Sequence, residues 1–496
     1  MDNHSQSPHI LMIAYPLQGH VIPFVHLATK LASKGFTITF VNTESIHHQI
    51  TKSQLSSSSS SGVLLGPNNK VHDIFAEARK SGLDIRYATV SDGFPLTFDR
   101  SLHHDQFMEG ILHVLSAHVD VLVGKLVSTN QPVTCLISDT FYVWSSMIAN
   151  KYNLVNVSFW TEPALVFTLY YHMDLLRTNG HFASPHDDNR EDAIDYIPGV
   201  ARIDPKDMAS YLQAADTTTV VHRIIYKAFE DVKRADFVIC NTVQELEPKT
   251  ISALQQKQPV YAVGPVLPAA GFTKSLVGTS LWPESDCTRW LNSKPHASVL
   301  YISFGSYAHC TKDEIVEIGH GVLLSGVSFI WVLRPDIVSS DQTDPLLPLG
   351  FEDEVKDRGM IVPWCSQIAV ISHPALAGFL THCGWNSILE SVWCGIPLLC
   401  FPLLTDQFTN RKLVVDDWRI GLNLCDKKPI TRHEVARNIT RLISGESADE
   451  LRKNVKAVKG LLENALSVAP GGSSHNNLNQ FIDDMIMKAN IKKKKK

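Results

Sequence analysis

The sequence predicts an α/β protein built from two doubly wound parallel-sheet domains facing a cleft, and three observations carry that prediction. Short, nearly continuous apolar runs recur along the 496 residues, among them residues 9–16, 133–139 and 298–306, as expected of strands buried on both faces of a parallel sheet. Each run leads through a turn into a stretch of helical spacing, and strand–helix alternation of this kind means parallel sheets. A Gly- and Pro-rich stretch with no period, GPVLPAAGFTKSLVGTSLWPE from residue 264, interrupts the pattern, and the same theme restarts after it. Stretches of that composition are where domain boundaries fall.

Residues 9–16 give the first strand, and LQGH (17–20) reads as a four-residue turn. Pro23 suits the first turn of the helix that follows. Phe24, Leu27, Ala28, Leu31 and Ala32 recur at helical spacing, and Gly35 ends the helix. FTITFVNT closes a βαβ unit of about 35 residues. The serine run Ser56–Ser61 reads as a flexible loop. VTCLISD (133–139) is a strand ending in an acid, Asp139, and NLVNVSFW (153–160) is the next strand; residues 181–193 read as a polar surface loop. In the second half, SVLYISFGS runs into a glycine turn. Thr311 and Glu314 then form a capping-box pattern, which Thr431 and Glu434 repeat. SFIWVLR, GMIVPW, LAGFLTHC, IPLLCFP and IGLNL are the remaining strand candidates of this half. The expected division is a first domain over 1–264, a linker over 265–297, a second domain over 298–473 and a Lys-rich disordered tail over 491–496.

Composition excludes several function classes. The net charge is −5, and the tail Lys492–Lys496 carries five positive charges, so the body is near −10, which argues against nucleic acid as the partner. Nine cysteines occur without a CxxC pair, which reads as reduced thiols and a cytoplasmic chain. His382, Cys383, Cys394 and Cys400 match no zinc spacing. The N-terminus has no signal-peptide pattern, and no run of 18 apolar residues suggests a membrane span.

Two groups of residues suggest chemistry. In residues 364–407, FLTHCG reads as a strand entering a glycine turn and WNSILESV as the helix behind it. Asn386 and Ser387 fall at the helix start, where free amides and the dipole favour an anion, and His382 adds a donor at the strand end. Together they suggest a diphosphate cradle without a P-loop. Simple capping by Asn386 and Ser387 fits this stretch equally well, as does Trp364 in a core and Glu390 in solvent. In the first half, His20 and Asp139 lie at or just past the ends of two predicted parallel strands. A histidine is a suitable base near neutral pH, and a carboxylate on its other nitrogen fixes the tautomer. Ligands in doubly wound sheets bind at these strand ends.

The 44-residue box from Trp364 to Gln407, with HCGWNS inside it, resembles the signature of plant family 1 UDP-sugar glycosyltransferases, and the likeness extends to the start of the chain, LISD and SFGS. The resemblance implies the GT-B fold, with two Rossmann-like domains and a last helix, about 474–490, crossing back to the first. It implies an inverting transfer of a sugar, with glucose expected, from a UDP-sugar to a hydroxyl or carboxyl of a small lipophilic acceptor. It implies His20 and Asp139 as the catalytic dyad. Trp364 then stacks on uracil, the Cys365 backbone bonds its edge, and Gln367 and Glu390 take the ribose hydroxyls. His382, Asn386, Ser387 and Ser306 hold the phosphates, while Trp385, Asp406, Gln407 and Thr161 meet the sugar. Trp-Cys-Ser-Gln replaces the usual Trp-Ala-Pro-Gln, and Trp393 and Cys394 are bulkier than usual. No DxD triplet occurs, so no metal and no cofactor beyond the co-substrate UDP-glucose is expected, and the chain is expected to act as a monomer. Phe94, Phe141 and Tyr142, with Tyr170 and Tyr171, suggest an aromatic acceptor pocket. The alternatives are a UDP-sugar-binding regulatory protein and a sugar-nucleotide epimerase; an NAD enzyme is disfavoured because GxGxxG is absent.

Overall fold

The computed structural model describes residues 8–59, 73–184, 189–268, 277–338 and 346–494. Strands β1 (His9–Ile13), β2 (Thr37–Thr43), β3 (Ile85–Val90), β4 (Val133–Asp139), β5 (Val155–Trp160), β6 (Phe237–Cys240) and β7 (Val260–Ala262) form one sheet, in the order β3-β2-β1-β4-β5-β6-β7. Strands β8 (Val299–Ser303), β9 (Ser328–Val332), β10 (Gly359–Val362), β11 (Leu376–Thr381), β12 (Leu398–Cys400) and β13 (Gly421–Asn423) form the second, in the order β10-β9-β8-β11-β12-β13. All pairings are parallel. Helices cover both faces, which is why β1, β2, β4, β5 and β8 are buried or nearly so at every position. This is the GT-B arrangement of two Rossmann-like units.

In each sheet the chain order reverses once, between β1 and β4 in the first and between β8 and β11 in the second. At such a point the two loops diverge and leave a crevice at the strand ends. One hydrophobic cluster runs through both halves, joining Trp160 and Phe229 of the first to Trp385 and Leu413 of the second. The helix Gly445–Leu466 packs on the helix Trp385–Cys394, and the last helix, Ser473–Lys494, then packs on β7, β5 and β4. Leu478, Phe481, Ile482, Met485 and Ala489 enter the core of the first half. A fully buried side chain of the Leu, Ile or Phe class contributes roughly 1.5–3 kcal/mol relative to exposure, so this strap ties the halves together.

Several local expectations are corrected. The first helix runs Gln18–Ser33 with Pro23 inside it, so LQGH is its cap and first turn. The helix Glu44–Ser59 takes in the serine run up to Ser59; Ser60 and Ser61 lie outside the described residues. Thr311 and Glu314 form both bonds of the capping box. Thr431 stands at the N-cap of its helix without a side-chain bond, and Glu434 accepts from the Asp426 amide at 3.2 Å. The lysine tail is helical through Lys494, and Lys488 and Lys492 each pair with Asp236 at 2.9 Å. Residues 104–127 are long and apolar enough to cross a membrane. They form two consecutive helices whose Phe107, Met108, Ile111, Leu115, Val119 and Val123 lie in a core cluster.

Candidate active site

A cavity of about 1020 Å³ opens between the two sheets, lined by both halves of the chain. On the first half, His20 sits in the first turn of the helix after β1, and Asp139 is the last residue of β4, the strand beside β1. The Asp139 Oδ2 lies 2.7 Å from His20 Nδ1, and Thr161 Oγ1 lies 3.2 Å from the same nitrogen. Asp139 is buried, and its Oδ1 also accepts from the Phe141 amide at 3.0 Å, so the carboxylate is held from two sides. Burial pulls the His20 pKa down. The Asp139 charge and hydrogen bond, with Asp406 adding to them, outweigh burial and leave it raised. With Nδ1 engaged, Nε2 is the ring nitrogen left for a ligand.

On the second half, Ser306 follows β8 and His382 follows β11. The His382 ring is closely walled by glycines. A Cβ at Gly305 would lie 2.5 Å from His382 Nε2, and one at Gly384 would lie 2.6 Å from it. Gly384 is the N-cap of the helix Trp385–Cys394 and has no side chain with which to cap it. The first-turn amides therefore have no side-chain cap, an arrangement that favours an anion. Burial, then the Arg334 charge, lowers the His382 pKa to about 4, against the opposing pull of the Ser303 backbone, so the ring is neutral at pH 7. Of the two readings open for Asn386 and Ser387, simple capping is not what they do. Asn386 Nδ2 donates to the Gly19 carbonyl across the cleft at 2.7 Å, and Ser387 Oγ accepts from Gln367 Nε2 at 3.0 Å.

Gln367 Nε2 also reaches Glu390 at 2.8 Å; burial raises Glu390 to about 7, against the opposing pull of that bond. Trp364 and Cys365 line the same end of the cavity. The Trp385 indole donates to the Asn241 carbonyl at 2.7 Å, a second bond between the halves. Asp406 accepts from Thr405 at 2.8 Å and from Asn410 at 2.5 Å. Gln407 Oε1 takes the Leu403 and Leu404 amides at 2.9 and 3.0 Å, fixing the loop that carries Asp406.

The expected acceptor residues divide. Phe141 and Tyr170 line the cavity; Phe94, Tyr142 and Tyr171 do not. Tyr142 is a core residue whose hydroxyl donates to the Ala14 carbonyl at 2.8 Å, and Phe94 stacks on Phe98 with ring centroids 4.4 Å apart. The apolar wall comes instead from Tyr15, Met108, Ile224 and Ile225. Three polar residues were not singled out from the sequence. Arg334, 1 % exposed, holds the Gly305 and Ala308 carbonyls from behind the loop after β8. Glu162 lines the cavity next to Thr161, and Tyr307 bonds His104 across the cleft. Arg334 closes WVLR two residues past β9 as Asp139 closes LISD at the last residue of β4, a charge at the end of a buried apolar run, so that signal was present. Among the described residues no group of three or more His, Cys, Asp or Glu side chains could hold a metal ion.

Comparison with known proteins gives a consistent picture. The pattern of the family described as "UDP-glucoronosyl and UDP-glucosyl transferase" matches residues 240–459. The chain is 66% identical to UDP-glycosyltransferase 86A1 of Arabidopsis thaliana over 97% of its length and 95% of that protein's. Among solved structures, it is similar to Phytolacca americana UGT2 complexed with UDP-2fluoro-glucose and pterostilbene, with a TM-score of 0.76 and 25% identity over 97% of this chain and 100% of that one. It is also similar to a UDP-glucosyltransferase from Polygonum tinctorium capable of glucosylating indoxyl, with a TM-score of 0.75 and 26% identity over 97% and 99% of the two chains.

Proposed function

The chain belongs to the UDP-dependent glycosyltransferases and is an inverting enzyme that moves a sugar from a UDP-sugar to a small molecule, and on that premise we propose that His20 is its general base, Asp139 its positioning carboxylate and glucose its sugar. The single observation that supports this assignment is the 2.7 Å contact between His20 Nδ1 and Asp139 at the edge of the cavity. In this reading the acceptor hydroxyl gives its proton to His20 Nε2 as its oxygen bonds the anomeric carbon. The bond from that carbon to the β-phosphate oxygen breaks, and UDP leaves with the electron pair. Attack opposite the leaving group converts an α-linked donor into a β-glycoside. Asp139 keeps the proton of the resting imidazole on Nδ1 and stabilises the imidazolium that forms.

Donor recognition falls to the second half. Trp364 offers a face to the base, and Glu390 with Gln367 faces the ribose. Ser306, Asn386, the neutral His382 and the uncapped helix amides face the diphosphate, in a preorganised site of the kind that stabilises a leaving anion. Trp385, Asp406, Gln407 and Thr161 remain for the sugar. Arg334 adds a positive charge behind the phosphate loop. The nine free cysteines suit the cytoplasm.

The test is His20→Ala, read as UDP release from UDP-glucose with a phenolic acceptor. Turnover should fall by roughly 10³-fold or more, as expected for loss of a positioned base, while calorimetry shows UDP still bound. Turnover near that of the unaltered enzyme would sink the base assignment.

A further inference from the structure

Sugar transfer makes no use of the lysines that end the last helix, Ser473–Lys494. Two of them have structural partners: Lys488 and Lys492 pair with Asp236, and Lys492 Nζ also donates to the Leu154 carbonyl at 2.6 Å. Lys493 and Lys494 are exposed and form no ion pair among the described residues, and the sequence adds two more lysines directly after them. The helix dipole favours a cation or two in a last turn, which does not account for such a run. The same end carries an apolar ridge. Met487 and Ile491, 58% and 45% exposed, lie one turn apart on the face opposite Met485 and Ala489. With Ile486 and Lys494 they line an open groove to which no other element contributes a described residue. Asp483, at the far end of that groove, stands about 16 Å along the axis from Lys494, beyond the roughly 8 Å reach of charges in physiological salt. Asn153 Nδ2 donates to the Lys492 carbonyl at 3.0 Å, so the residues that hold Lys492 directly precede β5 and β6. The lysine end therefore sits where the strands of the first sheet begin. His20 and Asp139 sit where they end, roughly 20 Å away by the length of β5.

We propose that this end of the last helix docks the enzyme on an anionic lipid surface, with Met487 and Ile491 entering the headgroup layer and Lys493 and Lys494 meeting lipid phosphates and carboxylates. The pairing of features selects that partner. Unpaired lysines call for a negatively charged surface, and exposed aliphatic side chains beside them call for one that also takes apolar groups. The boundary of an anionic bilayer offers both. Nucleic acid would meet the charges and leave Met487 and Ile491 in water. Two apolar side chains are too few to hold a protein on a neutral bilayer, and the lysines alone are screened by salt, so docking needs both signals and is reversible. The contact lies at the sheet edge opposite the dyad. The cleft therefore stays open to solvent in the docked protein, and turnover of soluble substrates does not depend on docking.

The experiment is sedimentation of the full chain with vesicles of phosphatidylcholine, alone or with about one-third phosphatidylserine. Affinity for the phosphatidylserine vesicles should exceed that for the neutral ones by at least about 30-fold in about 0.1 M salt, and the excess should vanish in about 0.5 M salt. Lys493→Gln combined with Lys494→Gln should weaken binding by about 25-fold, or about fivefold for each lysine. Met487→Ser combined with Ile491→Ser should weaken it by about tenfold and leave affinity for heparin, a polyanion with no apolar layer, unchanged. None of these four side chains lines the catalytic cavity, so UDP release from UDP-glucose with a phenolic acceptor should be unaltered in both variants and serves as the check on folding. Equal affinity for the two kinds of vesicle, no affinity for either, or an unchanged affinity in the lysine variant would each overturn the proposal. Full vesicle binding by the M487S/I491S variant would overturn it too, leaving a site for soluble polyanions in its place.

Discussion

Both sheets reverse strand order beside the same cavity, yet the two crevices are in opposite states of readiness. At the β1–β4 crevice the side chains are already paired: His20 to Asp139, Asp139 to the Phe141 amide, Thr161 to His20. At the β8–β11 crevice they are unpaired or engaged elsewhere. The helix N-terminus has no side-chain cap, and Asn386 is spent on Gly19. With His20 as the proposed base, the first crevice must have its proton acceptor oriented before the substrate arrives, because an imidazole in the wrong tautomer cannot act. The second must leave donors unsatisfied, because an anion will satisfy them. Chemistry is preassembled on one side, and binding is held open on the other.

The sharpest way to break this contrast is to unmake the preassembled side. In Asp139→Asn the carboxylate that orients His20 is gone, and kcat should fall by roughly 10²- to 10⁴-fold with UDP affinity retained. The pH profile carries the more specific signal. In the unaltered enzyme burial lowers the His20 pKa and Asp139 overrides it, leaving it raised. The base works only when neutral, so activity should fall as pH drops through a pKa above the ordinary histidine value. Without Asp139 burial prevails, the pKa drops, and the acid limb should move to lower pH in the residual activity. A limb that stays in place would mean that His20 is not the titrating base.

The open side is tested through its glycines. Gly305 has φ +74°, and a Cβ there would lie 2.5 Å from His382 Nε2. Gly305→Ala should therefore move the His382 ring and weaken UDP binding by about 30-fold, the loss expected when an anion site forfeits charge-assisted bonds, while H20-dependent proton transfer chemistry stays intact at saturating donor. Gly350 is the control, because it has φ +79° with nothing within 4 Å of a new Cβ. Gly350→Ala imposes similar backbone strain and should leave UDP affinity alone. If both variants weaken UDP equally by calorimetry, the space around His382 is not what the glycine provides.

The same contrast governs what could be read from the sequence. Strands buried on both faces announce themselves as apolar runs, so the two sheets and the placement of His20 and Asp139 at strand ends were legible. Side-chain facing within irregular segments was not. Phe141 and Tyr142 are neighbours, and only the packing decides that one meets the cavity and the other bonds Ala14. Asn386 and Ser387 look like caps because local propensity favours them there. The actual cap is Gly384, chosen by the bulk of His382, a neighbour that no propensity takes into account. Glu162 is hidden in SFWTEP, where an acid after a strand looks like a loop residue until the fold places it in the cavity wall.

Pro23 was misread for a related reason, and it supplies the subtlest test. Proline usually begins a helix, yet this one sits within Gln18–Ser33. Its missing N–H is the one that would bond the Gly19 carbonyl, four residues earlier. That carbonyl is the acceptor used by Asn386 across the cleft. The preassembled half thus offers a free carbonyl that occupies a donor of the open half until an anion competes for it. Pro23→Ala restores the N–H and gives Gly19 a partner within its own helix. Asn386 then loses part of its reason to stay, and UDP should bind about two- to fivefold more tightly, the size of one neutral hydrogen bond's net contribution. The thermal midpoint should rise as well, since proline is poorly tolerated inside a helix. A higher midpoint with unchanged UDP affinity would show that the bond to Gly19 does not compete with the donor, and that the two crevices are independent.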